Sequence, residues 1–424
     1  MTFHQARLRK ALGFPSVMDA LAWDIATAVS DFPVEAGVVP SLVIERIIDT
    51  AALAALASGQ GRGDTARNRA LLHPSLSGAT VFGAPTACRV SPEWAAWANG
   101  VMVREAWGCH DALAAGYPYP GDVIPPLVAV AQSHGCRGAD LIRGIAVGYD
   151  VQAALVARVV ADKPPIDHIA PLGPAMAAGI AAMLRLSLSF SYDVIRQVLR
   201  RCDAIRRSRK RKVLGWQDHV QARIGKVVVE ALQGAMPGDP RMSSEGARLS
   251  FFDAPWGGVW GRGLVELHGR EAVSGACGWG VIALARQLGP RIGNFEWVDG
   301  VFLHVPMGAA DDDVLARVLA VALQNHGWQH ERACAPGRSS RPDTLALSRK
   351  VRVVRHRQPI GGKVVAMLKG GIVLQEELEG GGDVAAKFRA LSGGIISRTE
   401  QDGFLAAAYR LPELGVGDIV RLTF

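Results

Sequence analysis

Histidine, arginine and lysine provide the clearest candidates in this sequence for acid–base chemistry and anion binding. His168 stands at the predicted start of a helix, where an imidazole can accept or donate a proton near neutral pH. A lone histidine more often has a structural role, so His168 gains weight only from its surroundings. The run from Arg200 to Lys212 carries eight Lys or Arg residues, which are natural partners of carboxylates.

The basic run has two other interpretations. A solvated helix end is the plain structural one. Nucleic-acid binding needs basic residues along one face with stacking aromatic side chains between them, and only Trp216 lies nearby. The sequence therefore argues against nucleic acid as a partner, and binding of a small anionic molecule stays open.

A segment rich in Gly, Pro and Tyr runs from Gly108 to Asp122. Segments of this composition form irregular loops, and loops often carry binding and catalytic residues on a rigid scaffold. It directly follows a predicted helix over Trp94 to Glu105. This loop is the first candidate location for a site.

Signatures of metal sites and of several large enzyme classes are missing from the sequence. His326 and His330 have the i, i+4 spacing of a helical metal site, but no HExxH frame surrounds them, so surface histidines are the favoured interpretation. The sequence also lacks a GxSxG elbow, a P-loop and a CxxC pair. These features argue against the common hydrolases, NTPases and zinc proteins, and no metal is expected.

Length and composition indicate a globular protein. The 424 residues, of which 49% are hydrophobic and 20% charged, predict two domains or one large helical domain. The net charge of +8 favours anionic ligands, and six scattered cysteines are typical of reduced thiols in a cytoplasm. No secretory signal is predicted, and the apolar stretch from Pro171 to Leu184 is too short to span a bilayer.

Helical periodicity dominates the first half of the chain, and strands are added in the second. Apolar residues recur at helical spacing from Val43 to Ala57. Short alternating strands with Gly turns are predicted after Arg349. They cover Val351 to Arg355, Lys363 to Lys369 and Ile372 to Leu378. The predicted fold is mainly α, with a large all-helical domain over 1–258 and 396–424 and a smaller α+β lid domain over 259–395.

Several segments together resemble the MmgE/PrpD family, which includes 2-methylcitrate dehydratase, cis-aconitate decarboxylase and iminodisuccinate epimerase. The clearest segments are Ala98-Asn-Gly, Pro120 to Ala131 and Gly138 to Gln152. Weaker similarity covers Asp167-His168, Trp216 to Leu232, Ala346 to Val354 and Ala386 to Leu391. These segments touch nearly the whole chain.

The resemblance implies a fold, an assembly and a chemistry. Family members combine a helical domain, closed by the C-terminal helix, with an α+β lid, and they are commonly homodimers with a site in the cleft between the domains. Their chemistry removes a proton next to a carboxylate without a metal or cofactor, and then loses water, loses CO2 or returns a proton. It requires a base, an acid on the other side and cations for the substrate carboxylates.

The sequence departs from the family pattern at the expected site. Where the family usually has Leu-Asp-Phe-Asp/Asn-Asp-Thr, this chain has Ala106 to Asp111, so Trp107 replaces the first acid and His110 the last. Tyr119 replaces the histidine of a His-Pro pair. Two tyrosine motifs of the lid are replaced near Ala272 to Gly275 and near Arg317. With Cys109, these changes imply a larger and less charged pocket.

Two functions follow from the resemblance. The first is a lyase or isomerase acting on a small carboxylate-type substrate, as a cytoplasmic homodimer without a membrane partner. In that enzyme the base would be His168 or His110, the acid or oxyanion donor Tyr119, and the carboxylate anchors Lys212 with Arg209 or Arg211. The alternative is a catalytically inactive or repurposed family member that binds a ligand or a partner protein.

Overall fold

The computed structural model divides into two compact units. The first unit contains the described residues up to Glu105, from Pro120 to 235 and from Phe388 onward, and the second contains Ala106, Trp107 and the described residues from 284 to Lys387. The structure describes residues 17–30, 32, 39–59, 61, 63–107, 120–161, 170–210, 219–235, 284–285, 287–306, 312–324, 342–356, 363–377 and 384–424.

Helices build most of the first unit, which confirms the mainly α fold class. In chain order they are α1 (Val17–Ser30), α2 (Val39–Gly59), α3 (Asp64–Leu71), α4 (Pro92–Trp107), α5 (Ile124–Ser133), α6 (Gly138–Ala161), α7 (Leu172–Leu184), α8 (Leu188–Lys210) and α9 (Val220–Ala235). A 3₁₀ turn over Pro120–Val123 leads into α5. Among the helices within the described ranges, none is long and apolar enough to cross a lipid bilayer.

A short strand in the first unit was not predicted. Strand β1 (Pro74–Ala79) is bridged to Val90 from both of its ends. The Ser75 amide also donates to the Arg89 carbonyl at 3.0 Å. Its sequence, Pro-Ser-Leu-Ser-Gly-Ala, has no long apolar–polar alternation, so the strand depends on tertiary contacts that periodicity does not reveal.

Helices α6 and α7 approach closely because glycine lies where they cross. A Cβ atom on Gly179 would stand 2.6 Å from the Gly144 carbonyl oxygen. A Cβ on Gly144 would stand 2.8 Å from the Cβ of Met183. Residues Leu172 to Met183 of α7 are all buried, as the Ala- and Gly-rich sequence predicts. Because the side chains at the crossing are small, the backbones of α6 and α7 can pack closely against each other.

The C-terminal residues complete the core of the first unit. Helix α13 (Arg398–Tyr409) follows α12 (Val384–Ser392), and 3₁₀ turns lie over Leu411–Glu413 and Asp418–Leu422. Phe388 stacks on Phe404 with ring centroids 4.7 Å apart. The Thr80 and Thr423 hydroxyls lie 2.6 Å apart, and the Gly83 amide donates to the Phe424 carbonyl at 2.6 Å. These contacts join residues from both ends of the sequence.

The second unit is a four-stranded sheet covered by helices. Its strands are β2 (Val298–Pro306), β3 (Val351–His356), β4 (Lys363–Leu368) and β5 (Val373–Glu377), in the spatial order β3-β2-β4-β5. Strand β2 pairs parallel with β3 and antiparallel with β4. Helices α10 (Asp312–Gln324) and α11 (Pro342–Ser348) lie between β2 and β3 in sequence, as a parallel connection requires.

One core holds the second unit together. Alternate residues of the two central strands point into it, including Val301, Leu303 and Val305 of β2. Leu315, Leu319 and Leu323 of α10 are fully buried against them, at helical spacing. Strands β3, β4 and β5 confirm the three predicted strands. Strand β2, which was not predicted, occupies the centre.

We expect the glycine crossing of α6 and α7 to limit stability. Gly179→Ala gains helix propensity but places a methyl group against the backbone of α6, so we expect a net loss of about 1–3 kcal/mol in the free energy of unfolding. Gly403→Ala is the matched control, because its Cβ would meet nothing within 4 Å. The control should gain about 0.5–1 kcal/mol. Equal urea midpoints for the two variants would contradict the tight crossing.

Candidate functional site

The predicted site residues can be placed only in part. Trp107 is the last residue of α4 and Arg209 lies near the end of α8, but their side chains are outside the described set. Arg317 lies exposed on α10, and its Nε donates to the Asp313 carbonyl of the same helix at 3.1 Å. The remaining predicted site residues lie outside the described residues: Cys109, His110, Tyr119, His168, Arg211 and Lys212. All of these roles therefore stay predictions.

The two ends of the segment that carries His110 and Tyr119 are held together by a buried ion pair. Arg104, in the last turn of α4, donates through Nε to Asp122 Oδ1 at 2.7 Å. Its second nitrogen bonds the other carboxylate oxygen, so the contact is bidentate. The side chains are only 8% and 5% exposed. The pair fixes the 3₁₀ turn of Asp122 against the end of α4, on either side of 108–119.

Helices α4 and α9 run in opposite directions and contact each other through side chains at both ends. At one end, Gln233 donates to Glu93 at 3.0 Å. In the middle, a Cβ on Gly100 would lie 3.1 Å from the Cβ of Ala222, so glycine permits the close approach. At the other end, His219 Nε2 lies 3.1 Å from Glu105 Oε1. The helix pair thus sets the position of the histidine and the carboxylate.

The His219–Glu105 pair has the arrangement of a carboxylate-oriented imidazole. The side chains are 31% and 27% exposed, so the contact is partly shielded from water. His219 stands directly before α9, where its carbonyl accepts from the Arg223 amide at 3.0 Å. Its other ring nitrogen, Nδ1, is buried and has no hydrogen-bond partner. One nitrogen is therefore engaged by Glu105, and the other makes no hydrogen bond within the protein.

Sequence reasoning did not find this pair. Glu105 lies at the end of a helix and His219 at the start of another, with more than a hundred residues between them. Neither stands in a spacing that signals chemistry. The only available signal is that each borders a segment with predicted site residues, namely 108–119 and 211–218.

The start of the basic run has a structural role. Arg200 of α8 donates to Asp19 of α1 at 3.3 Å, and the Asp19 side chain is 1% exposed. Cys202 is buried beside it, and burial raises the pKa of its thiol to about 12, which keeps it protonated. Arg200 therefore ties two helices together and does not belong to a nucleic-acid-binding face.

The second unit carries a pair of histidines on neighbouring strands. His304 of β2 and His356 of β3 lie 2.9 Å apart through Nδ1 and Nε2. Burial, followed by the charges of His356 and Lys363, lowers the pKa of His304 from its ordinary value of 6.5, while Glu377 acts in the opposite sense. Within the described ranges, no group of three or more His, Cys, Asp or Glu residues is placed to hold a metal ion.

Comparison with known families identifies the chain. A model of the MmgE/PrpD N-terminal domain matches residues 24–257, which is more than half of the sequence. The chain belongs to the MmgE/PrpD family. This family is known for dehydratase and other lyase-type activity, and membership suggests an enzyme of that kind. The match includes α4, the 3₁₀ turn and α9, and thus both pairs described above.

The Asn-Gly motif of this MmgE/PrpD chain is structural. Asn99 is 1% exposed, and its amide donates to the Thr80 carbonyl at 3.1 Å and accepts from the Phe82 amide at 3.0 Å. It therefore fixes the chain after β1 to helix α4. Gly100 is where α4 meets α9. The motif that carries much of the family resemblance positions α4 and does not itself offer a reactive group.

We expect the Arg104–Asp122 pair to be essential for stability. Arg104→Met removes the bidentate partner of a buried carboxylate, so the free energy of unfolding should fall by about 3–5 kcal/mol. The control is Arg410→Met, which removes an ion pair with Glu413 whose side chains are 72% and 64% exposed. That change should cost about 0–1 kcal/mol. Urea unfolding measures both, and equal losses would contradict a buried clamp.

We expect the histidine pair to make the second unit sensitive to acid. Because the folded pKa of His304 is lowered, the folded state binds a proton less readily than the unfolded state. Its stabilising contribution is complete above pH 6.5 and is lost as the pH falls from there through the lowered folded pKa. Hydrogen exchange of peptides covering β2 should accelerate between pH 7.5 and 5.5, after correction for intrinsic exchange.

His304→Gln should weaken that pH dependence, because glutamine can bond His356 but does not titrate in this range. His134→Gln is the control, since His134 is exposed at the end of α5. If His304→Gln retains the full acid sensitivity of β2, another group is responsible.

Proposed function

We propose that this MmgE/PrpD chain is a cofactor-independent lyase or isomerase that removes a proton alpha to a carboxyl or carbonyl group of a small organic acid. The observation that carries the proposal is the family match over residues 24–257. The described elements on either side of 108–119 support it, because a buried ion pair and a helix pair fix the residues next to the segment that carries His110 and Tyr119.

The proposed chemistry needs few kinds of group. A base takes the proton, and cations hold the substrate carboxylate while negative charge develops on the neighbouring carbon. His168 or His110 is proposed as the base and Tyr119 as the acid or oxyanion donor. Lys212, with Arg209 or Arg211, is proposed to anchor the carboxylate. The carbanion then loses water, loses CO2 or regains a proton.

The replaced acids suggest a substrate range different from that of the better-known family activities. Trp107, Cys109 and Tyr119 stand where the family usually has smaller or charged residues, and they favour a larger and less anionic substrate. We also propose a homodimer and a cytoplasmic location for the chain. A catalytically inactive member that binds a ligand or a partner protein is the alternative, and the experiment below separates it from an enzyme.

Deuterium wash-in tests the proposed activity. The protein is incubated in D2O with di- and tricarboxylates and with hydroxy and amino acids, and each compound is examined by mass spectrometry. We expect deuterium at a carbon next to a carboxyl group, because that proton is removed and returned. His168→Asn and Tyr119→Phe should each slow exchange by about 10²–10⁴-fold.

His134→Asn is the matched control for His168→Asn, because His134 is exposed and lies outside every proposed role. Unchanged exchange in both the His168 and Tyr119 variants would remove those residues from the mechanism. A folded protein that exchanges no compound of the panel would favour the inactive, ligand-binding alternative.

A further inference from the structure

We propose that His219 is a proton-accepting residue of this site, with Glu105 orienting its ring. The inference rests on the proposed function and adds a third histidine to the two that the sequence nominates. Two observations support it. His219 Nε2 lies 3.1 Å from Glu105 Oε1, and His219 Nδ1 is buried without a hydrogen-bond partner.

The partner of Nε2 determines which nitrogen carries the hydrogen in the neutral ring. An ionised carboxylate can only accept hydrogen bonds, so the contact with Glu105 places the hydrogen on Nε2. Nδ1 then carries the lone pair. A buried polar atom without a partner costs about 1–3 kcal/mol, so such an atom at a candidate site indicates a place for a ligand's hydrogen.

The helix scaffold keeps the pair in place. Glu105 is in the last turn of α4, next to Arg104, whose bidentate contact with Asp122 holds that turn. His219 precedes α9, which meets α4 at Gly100 and Ala222. Since both residues stand on elements fixed by other contacts, the ring needs little reorganisation to accept a proton.

The position of the pair agrees with a role in the site. Glu105 is followed, after two residues, by the segment with Cys109, His110 and Tyr119. His219 is preceded by the segment with Arg211 and Lys212. Glu105 and His219 are thus each held in place by other contacts, and each lies close in sequence to residues that are proposed to bind or transform the substrate.

The C–H bond next to the substrate carboxyl or carbonyl group breaks, the proton bonds to Nδ1, and the electron pair stays on the carbon and is delocalised onto the adjacent oxygens. Glu105 stabilises the resulting imidazolium through the retained Nε2–H contact, as carboxylates do in triad-type sites. In D2O the Nδ1 proton exchanges with solvent, and the reverse step delivers deuterium to the carbon.

A purely structural contact between α4 and α9 is the competing explanation. The other end of the same helix pair provides the comparison, because Gln233 and Glu93 join the helices by a hydrogen bond without a titratable ring. If His219 only joins helices, glutamine should replace it without consequence for proton transfer.

The test compares His219→Gln, Glu105→Gln and the control Glu93→Gln in the wash-in assay, on whichever panel acid the wild type exchanges. Glutamine at 219 can still donate to Glu105, so the helix contact is kept while the base is removed. We expect His219→Gln to lower the maximal exchange rate by about 10²–10⁴-fold, with half-saturation by the acid nearly unchanged. Glu105→Gln should lower it less, and Glu93→Gln should match the wild type.

Long-range ¹⁵N–¹H NMR of the histidine rings gives a second readout that does not need turnover. The His219 signals are assigned by their absence in His219→Gln. We expect a hydrogen on Nε2 and an unprotonated Nδ1 in the neutral ring. A hydrogen on Nδ1 would overturn the proposal by itself.

The outcomes separate this inference from the proposed function. Exchange by the wild type with an equally active, folded His219→Gln variant would overturn the role of His219 and leave the proposed function standing. Absence of exchange by the wild type would overturn both. A loss confined to His219→Gln and Glu105→Gln, with the Nε2–H tautomer, supports the proposal.

Discussion

Close approach of helix backbones is the constraint on which the first unit depends. Gly144 and Gly179 let α6 and α7 cross with backbone nearly touching backbone, and Gly100 lets α4 reach Ala222 of α9. Small residues at such crossings increase packing density, but they leave little tolerance for added volume. A helix held at a glycine contact cannot shift along its neighbour, so residues a turn or two away acquire fixed positions. His219 and Glu105 are placed in this way.

Several buried polar groups of the helical unit form hydrogen bonds across long sequence distances. Gln132 accepts from the Thr80 amide at 2.8 Å and donates to the Ile419 carbonyl at 3.2 Å. Asn99 accepts a hydrogen bond from the Phe82 amide, which follows β1, and Arg104 donates to the carboxylate of Asp122. Because a buried polar group without a partner is costly, these pairings select one arrangement of helices among many that would bury similar apolar surface. Other buried polar atoms of the described residues have no hydrogen-bond partner, among them His219 Nδ1 and both amide atoms of Gln152.

Local pattern predicted much of the fold and little of the site. The helices and strands β3, β4 and β5 follow from apolar spacing, turn residues and Gly-rich breaks, which are local properties. Strand β2 escaped prediction because Gly300 and a register shift near Val298 interrupt its alternation. The pair of His219 and Glu105 is set by the relative position of α4 and α9, which no local pattern encodes. Asn99 was recognised through family resemblance, but only its hydrogen bonds reveal that its role is structural.

The discontinuous first unit has a consequence for the order of events during synthesis. Its helices α1 to α9 emerge from the ribosome long before residues 388–424, which supply Phe404, Ile419 and Thr423 to the same core. The hydroxyl of Thr80 contacts that of Thr423, which is made 343 residues later in the chain. The sheet unit lies within that interval, and its contacts are complete sooner. Translation therefore exposes an unfinished helical core for the time needed to make the second unit, when chaperone binding would be most useful.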